Sequence, residues 1–126
     1  LVVDVTHATD YPGISKQTHG DIQMGEGPTI THGICNHPEV VKRLEQVASK
    51  AKISLQHETV SATSGTDTDA VFWTRGGIPS ALISLPNRYM HSPVEVVNLK
   101  DLEKIPQLMA GFAESIKKNE KFAVKI

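Results

Sequence analysis

Two hydrophobic periodicities alternate along this chain, and together they predict an α/β fold. Short apolar or alternating runs, typical of strands, occur at residues 1–5 (LVVDV), 27–31 (GPTIT), 54–60 (SLQHETV) and 78–86 (IPSALISLP). Segments with apolar residues at helical spacing occur at 36–53, at 66–77 and from Asn98 to about Asn119. Because strand and helix patterns alternate, the sequence predicts one layered α/β domain.

Local features refine three of these elements. Pro38 suits the first turn of its helix, and the helix at 66–77 is expected to end at its glycines. Pro106 lacks the amide hydrogen of a helical bond, so a split or kink is expected there. The predicted buried stripe of this last helix comprises Leu108, Met109, Phe112, Ala113 and Ile116. The run at 78–86 is apolar on both faces, which indicates a central strand covered by helices on both sides.

Composition and charge exclude several classes of partner. The 126 residues include thirteen Lys and Arg against fourteen Asp and Glu, and no basic stripe that would bind nucleic acid or an anionic membrane is present. No apolar run is long enough to span a bilayer, and the first residues do not resemble a signal peptide. The single cysteine, Cys35, excludes an internal disulfide framework. The sequence therefore indicates a soluble, cytoplasmic protein.

Two polar residues lie where an α/β sheet collects ligands, near the carboxyl ends of its strands. Asp4 is near the end of LVVDV, and His91 follows the run at 78–86 after a short connection. Carboxylate and imidazole groups are ligands of zinc, cobalt and manganese. A hydrogen-bonded Asp at a turn and a His bonded to a backbone carbonyl explain the same pattern without a metal, and the spacing alone leaves both interpretations open.

A second group of residues has the same ambiguity. His32, Cys35 and His37 could form a metal site or a Cys/His nucleophile, but His37 also suits the position before a helical Pro, and Cys35 suits a small buried apolar position. His7 and His19, together with Asp10, are expected to be solvated loop residues or to support ligands.

Several motifs resemble one known family over nearly the whole chain. They are DVTHATDYPG at 4–13, GEGPTI at 25–30, the continuous block at 64–95 that contains RYMHSPVE, and the helix start at 99–103. In this order they resemble the C-terminal half of the cytosolic glutamyl or tetrahedral dinuclear metallo-aminopeptidases, some of which have been named endoglucanases. The resemblance implies a three-layer α/β/α sandwich with a mixed sheet, of metallo-exopeptidase type. Residues 1–126 would form the C-terminal portion of the catalytic domain, without the upstream half and its inserted β domain.

The resemblance also implies two divalent metal ions, most simply zinc or cobalt, that activate water. Asp4 matches the family's ligand in its DVT motif, and His91 matches the ligand to the other metal in its RYxHS motif. The resemblance places the remaining ligands and the general-base Glu in His-x-Asp and Glu-Glu motifs upstream of Asp4, and this chain has no Glu-Glu pair. Asp67, Asp69 and Arg88 lie in matching blocks and are expected to contact substrate, although Asp67 or Thr66 could instead cap a helix.

The function implied is release of N-terminal residues from peptides, in a homo-oligomeric enzyme. The isolated chain is expected to be inactive because it carries one ligand for each metal and no general base. Two alternatives remain open at this point: a non-catalytic scaffold, and a related metallo-carboxypeptidase or amidohydrolase.

Overall fold

The computed structural model describes residues 1–122, which contain five strands and four helices. The last four residues of the range assigned to the catalytic domain lie outside the described part. The strands are Val2–His7 (β1), Thr29–Gly33 (β2), Gln56–Val60 (β3), Leu82–Arg88 (β4) and Val96–Val97 (β5). The helices are Lys16–His19 (α1), Pro38–Ala51 (α2), Asp67–Trp73 (α3) and Leu99–Ser115 (α4).

The strands form one mixed sheet in the order β1-β4-β2-β3, with β5 paired to the free end of β4. β1 runs parallel to β4 and β2 runs parallel to β3, whereas β2 and β4 are antiparallel. All of β4 except Arg88 is buried. The predictions of a mixed α/β sheet and of a central apolar strand are therefore confirmed.

The core lies between the sheet and the two long helices. α2 packs on α4 and β2, and α4 packs on β4. Ile30 of β2, Leu44 of α2 and Leu108 of α4 are fully buried in the cluster that joins these elements. Because residues alternate between the faces of a strand, Thr29 and Thr31 lie on the opposite face from Ile30. α2 and α4 thus cover one face of the sheet, which leaves the polar face of β2 and β3 for other chemistry.

The last helix differs from its prediction in two ways. α4 continues through Pro106 without a break. The helical bond lost at Pro106 is the one to the carbonyl of Leu102, and Leu102 is 45% exposed, which places this residue on the solvent side of the helix. Of the predicted stripe, Leu108 and Phe112 are buried, but Met109, Ala113 and Ile116 are exposed, and Ile116 lies beyond the helix end. The buried stripe of α4 is narrower than predicted because α2 packs against a single face of α4.

A buried carboxylate joins the first turn of α4 to the segment before β2. Asp101 is fully buried and accepts hydrogen bonds from the backbone N–H groups of Gly25 (2.6 Å) and Gly27 (3.0 Å). Gly27 has φ of +112°, and a Cβ there would overlap the carbonyl oxygen of Ser54. Only glycine suits this close approach. The contact sets where β2 enters the sheet.

Candidate metal centre

A cavity of about 600 Å³ opens on the sheet face away from α2 and α4. Its wall is formed by residues 4–7 of β1, 16–20 around α1, 57–60 of β3, 64–66 before α3, and 90–91 after β4, together with Leu82 and Ser84. Asp4 and His91, which the sequence indicated as metal ligands, both line this cavity. Segments as distant in sequence as residues 4–7 and 90–91 therefore meet at one polar surface.

Asp4 lies within β1, because the strand continues to His7. It is in register with Ser84 of β4, and its Oδ1 accepts a hydrogen bond from the N–H of Val5 at 2.8 Å. This bond holds the carboxylate close to its own backbone. An anionic oxygen is thereby presented on the cavity side of a regular, paired strand.

His91 is held by an unusual backbone. Both Tyr89 (φ 57°) and His91 (φ 65°) adopt the left-handed conformation, which costs non-glycine residues energy. The N–H of His91 donates to Oε1 of Glu95 at 2.6 Å, and the N–H of Ser92 donates to the carbonyl of Tyr89 at 3.1 Å. The chain therefore makes a tight turn directly after β4, and this turn places His91 at the cavity.

A third imidazole, which the sequence did not indicate as a ligand, lies at the same cavity. His7 ends β1, and its ring centroid lies 4.5 Å from that of His19. Within residues 1–122, its buried Nδ1 has no hydrogen-bond partner. Burial lowers the pKa of His7 and the charges of His19 and His91 lower it further, against an opposite effect of Glu58, and this net lowering favours the neutral ring. A neutral imidazole with an unpaired nitrogen is a suitable metal donor.

Each of these residues offers a donor atom of a kind that divalent metal ions accept. A carboxylate oxygen from Asp4 and imidazole nitrogens from His91 and His7 belong to the set that zinc and cobalt accept. The unpaired Nδ1 of His7 gives a structural reason beyond the sequence pattern, since buried polar atoms normally have a partner. The sequence signal for His7 was weak because a histidine two residues beyond a predicted strand is usually a loop residue.

Glu58 is a further cavity residue that the sequence analysis did not single out. Its carboxylate accepts hydrogen bonds from Oγ1 of Thr6 (2.7 Å) and Oγ1 of Thr31 (2.6 Å). One acidic group therefore ties three strands together at the floor of the cavity. The alternating pattern of SLQHETV placed Glu58 on one face of β3, but which face lines the cavity depends on the strand order.

The three residues expected to contact substrate lie outside the lining of the cavity. Asp67 is exposed in the first turn of α3. Asp69 accepts hydrogen bonds from the N–H (3.0 Å) and Oγ (2.9 Å) of Ser64. Arg88 makes two bonds to Asp10, from Nε to Oδ1 at 2.8 Å and from Nη2 to Oδ2 at 2.6 Å. Asp69 and Arg88 thus hold the loops that border the cavity, and Thr66 is the residue that caps α3.

His32, Cys35 and His37 do not form one site, and each has a separate structural role. Nδ1 of His37 accepts the N–H of Glu39 and caps α2, as Asn or Asp does elsewhere. Cys35 is buried, and that burial, together with Asp69, raises the pKa of its thiol to about 11. A thiol that stays protonated at pH 7 is a poor nucleophile. His32 contacts His57, with 2.8 Å between Nε2 and Nδ1.

The ion pair of Asp10 and Arg88 predicts a specific pH dependence. Hydrogen bonds from Arg88 hold the pKa of Asp10 below its ordinary value. The pair therefore stabilises the fold fully above the unfolded pKa of about 4, and this contribution is lost as the pH falls through the lower folded pKa. We expect Asp10→Asn to lower the urea midpoint at pH 7 and to match wild type in strong acid. Equal midpoints for the two proteins at pH 7 would contradict this.

The family model described as M42 glutamyl aminopeptidase matches residues 1–108. The chain belongs to the M42 glutamyl aminopeptidase family. A lysyl aminopeptidase of Pyrococcus furiosus is 33% identical over 95 residues, which is 75% of this chain and 28% of that protein.

Solved M42-type structures share the fold. The TET aminopeptidase of the marine sediment archaeon Thaumarchaeota archaeon SCGC AB-539-E09 superposes with a TM-score of 0.82 at 30% identity, over 90% of this chain and 32% of that one. An aminopeptidase of Desulfurococcus kamchatkensis superposes with a TM-score of 0.80 at 36% identity, over 90% and 33%. The chain thus spans about a third of the length of its relatives. Among residues 1–122, no helix combines the length and apolar character that crossing a bilayer requires.

Proposed function

We propose that this chain carries part of the dinuclear metal centre of an aminopeptidase, with Asp4 as a ligand to one divalent ion and His91 as a ligand to the other. The observation that carries the proposal is the convergence of these two residues on one cavity from distant parts of the chain. Membership of the M42 family supports the assignment. Zinc or cobalt suits the oxygen and nitrogen donors.

In this proposal, residues of this chain hold the metal ions, and other segments of the enzyme supply the remaining catalytic groups. The two bound ions would supply electrophilic activation of a water and of the scissile carbonyl. Asp4 and His91 would hold the ions, and the neutral His7 would support them from the same wall. The general-base Glu and the other ligands would come from the two thirds of the family's length that this chain does not span.

The substrate in this proposal is a peptide with a free N-terminus. Asp67 adjoins the lining residue Thr66, so its exposed carboxylate is placed to meet a cationic group of the substrate. Asp69 and Arg88 would shape the pocket through the loops they hold. A homo-oligomeric assembly and a cytoplasmic location belong to the same proposal, supported by the family and by a sequence with a single cysteine.

Metal counting tests the assignment of ligands. A complete aminopeptidase that carries this sequence would be loaded with zinc or cobalt, passed through a gel-filtration column and analysed by native mass spectrometry. We expect Asp4→Asn and His91→Ala each to retain about one ion fewer per chain than wild type, because each removes a directly bound donor. Lys16→Gln, which changes an exposed lining residue, serves as the control and should leave the count unchanged. Wild-type counts in both ligand variants would contradict the proposal.

A further inference from the structure

Two imidazoles and one carboxylate converge on the face of the sheet that carries α2, and His57 also contributes to the wall of the cavity. We call His32, Glu45 and His57 the edge cluster. Nε2 of His32 lies 2.8 Å from Nδ1 of His57, and Oε1 of Glu45 lies 4.0 Å from that same Nδ1. Each residue offers one donor atom, and these three atoms all lie within 4.8 Å of one another. The three donor atoms are therefore close enough for small side-chain movements to bring them to a single ion.

The fold explains why these three residues meet. In the parallel pair of β2 and β3, His32 is opposite Thr59 and His57 is opposite Ile30, so the two histidines are diagonal neighbours on one face. That face is the one on which Ile30 packs against α2, and Glu45 extends from α2 beside the buried Leu44. Three separate elements therefore supply one donor each. No local sequence motif contains all three.

We propose that the edge cluster is a second metal site, for a divalent cation of borderline softness such as Zn²⁺. Two nitrogens bound to one tetrahedral zinc at about 2.0–2.1 Å lie roughly 3.3–3.4 Å apart. The histidine nitrogens need to separate by about half an ångström from their present 2.8 Å, and the carboxylate oxygen needs to approach by a similar amount. The side chains of His57 and Glu45 are 50% and 43% exposed, so both can rotate this far.

The site has a defined chemical character. Two histidines and one Glu are the three protein ligands of several zinc sites that leave a fourth position to water or to another ligand. A bound cation would clamp β3, which ends the sheet within the described residues, to α2. This inference does not depend on the proposed function, because neither Asp4 nor His91 belongs to the edge cluster.

Zinc binding by the purified protein tests the proposal. Calorimetric titration with Zn²⁺ alone would compare wild type with His57→Gln and His32→Gln, and with His37→Asn as the matched control. His37→Asn removes an imidazole that does not belong to the edge cluster and keeps a residue type that caps helices well. We expect each edge-cluster variant to lose one zinc site or to bind Zn²⁺ at that site at least about tenfold more weakly. Loss of a metal ligand weakens binding more than loss of a residue that hydrogen-bonds to a ligand, which already costs about tenfold or more. His37→Asn should bind as wild type does.

A second measurement keeps the test independent of how well the variants fold. In the wild-type protein, the ring resonances of His32 and His57 should shift together as one equivalent of Zn²⁺ is added, also in an Asp4→Asn background. Unchanged ring resonances, or a full complement of equally tight sites in His57→Gln, would overturn the edge-cluster site. If Asp4→Asn lost a site and the edge-cluster variants did not, the proposed catalytic centre would be supported and the edge cluster refuted. The two proposals therefore fail separately.

Discussion

His91→Ala is expected to lower kcat/KM of a complete aminopeptidase that carries this sequence by at least about 10³-fold. Changes to groups that merely support a metal ligand cost about 10–100-fold, and removal of the ligand itself costs more. His91 is exposed, and its imidazole is not part of the packed core, so the fold should survive the substitution. Steady-state kinetics at saturating metal, together with the urea midpoint, measure both effects.

Glu95→Gln provides the graded comparison for this prediction. Glu95 accepts the N–H of His91 and so holds the loop, without lying in the lining of the cavity. A neutral amide oxygen accepts the same bond less strongly, so activity should fall by roughly tenfold or less, with the metal count retained. Wild-type turnover in His91→Ala would refute the assignment of this residue. The isolated 126-residue chain should release no amino acid from peptides, and steady release by the pure chain would show that it contains a general base.

Asp101→Ala is expected to destabilise the fold by about 3 kcal/mol, the largest effect on stability that we predict. Removal of the carboxylate leaves the N–H groups of Gly25 and Gly27 without their acceptor, and each such buried group costs about 1–3 kcal/mol. The loss also frees the segment that leads into β2. Urea unfolding followed by circular dichroism measures the change.

Two further variants separate the hydrogen bonds of Asp101 from its charge. Nζ of Lys104 lies 3.7 Å from Oδ1 of Asp101, and because the lysine is partly exposed, Lys104→Ala should cost less than about 1 kcal/mol. Asp101→Asn keeps one acceptor oxygen and should fall between Lys104→Ala and Asp101→Ala. If Lys104→Ala were as destabilising as Asp101→Ala, the ion pair and not the backbone contacts would be the dominant interaction.

The elements of this fold followed closely from its sequence. Pro38 begins α2, β3 has the half-buried alternation of SLQHETV, and β4 is the buried central strand. Each of these features depends on neighbouring residues along the chain, which is what periodicity measures. The split predicted at Pro106 does not occur, because α4 continues through it with Leu102 on the solvent side of the helix, and which side faces solvent depends on how the helix packs.

The class of fold, the family and the two motifs that contain Asp4 and His91 all follow from residues close together along the chain. The tertiary structure alone decided which other groups share their cavity, including the unpaired His7 and the bridging Glu58. It also decided that His32 meets His57 on the opposite face. The physical reason is that strand order and register are non-local: they arise when whole faces are buried against α2 and α4, and only then do residues distant in sequence become neighbours.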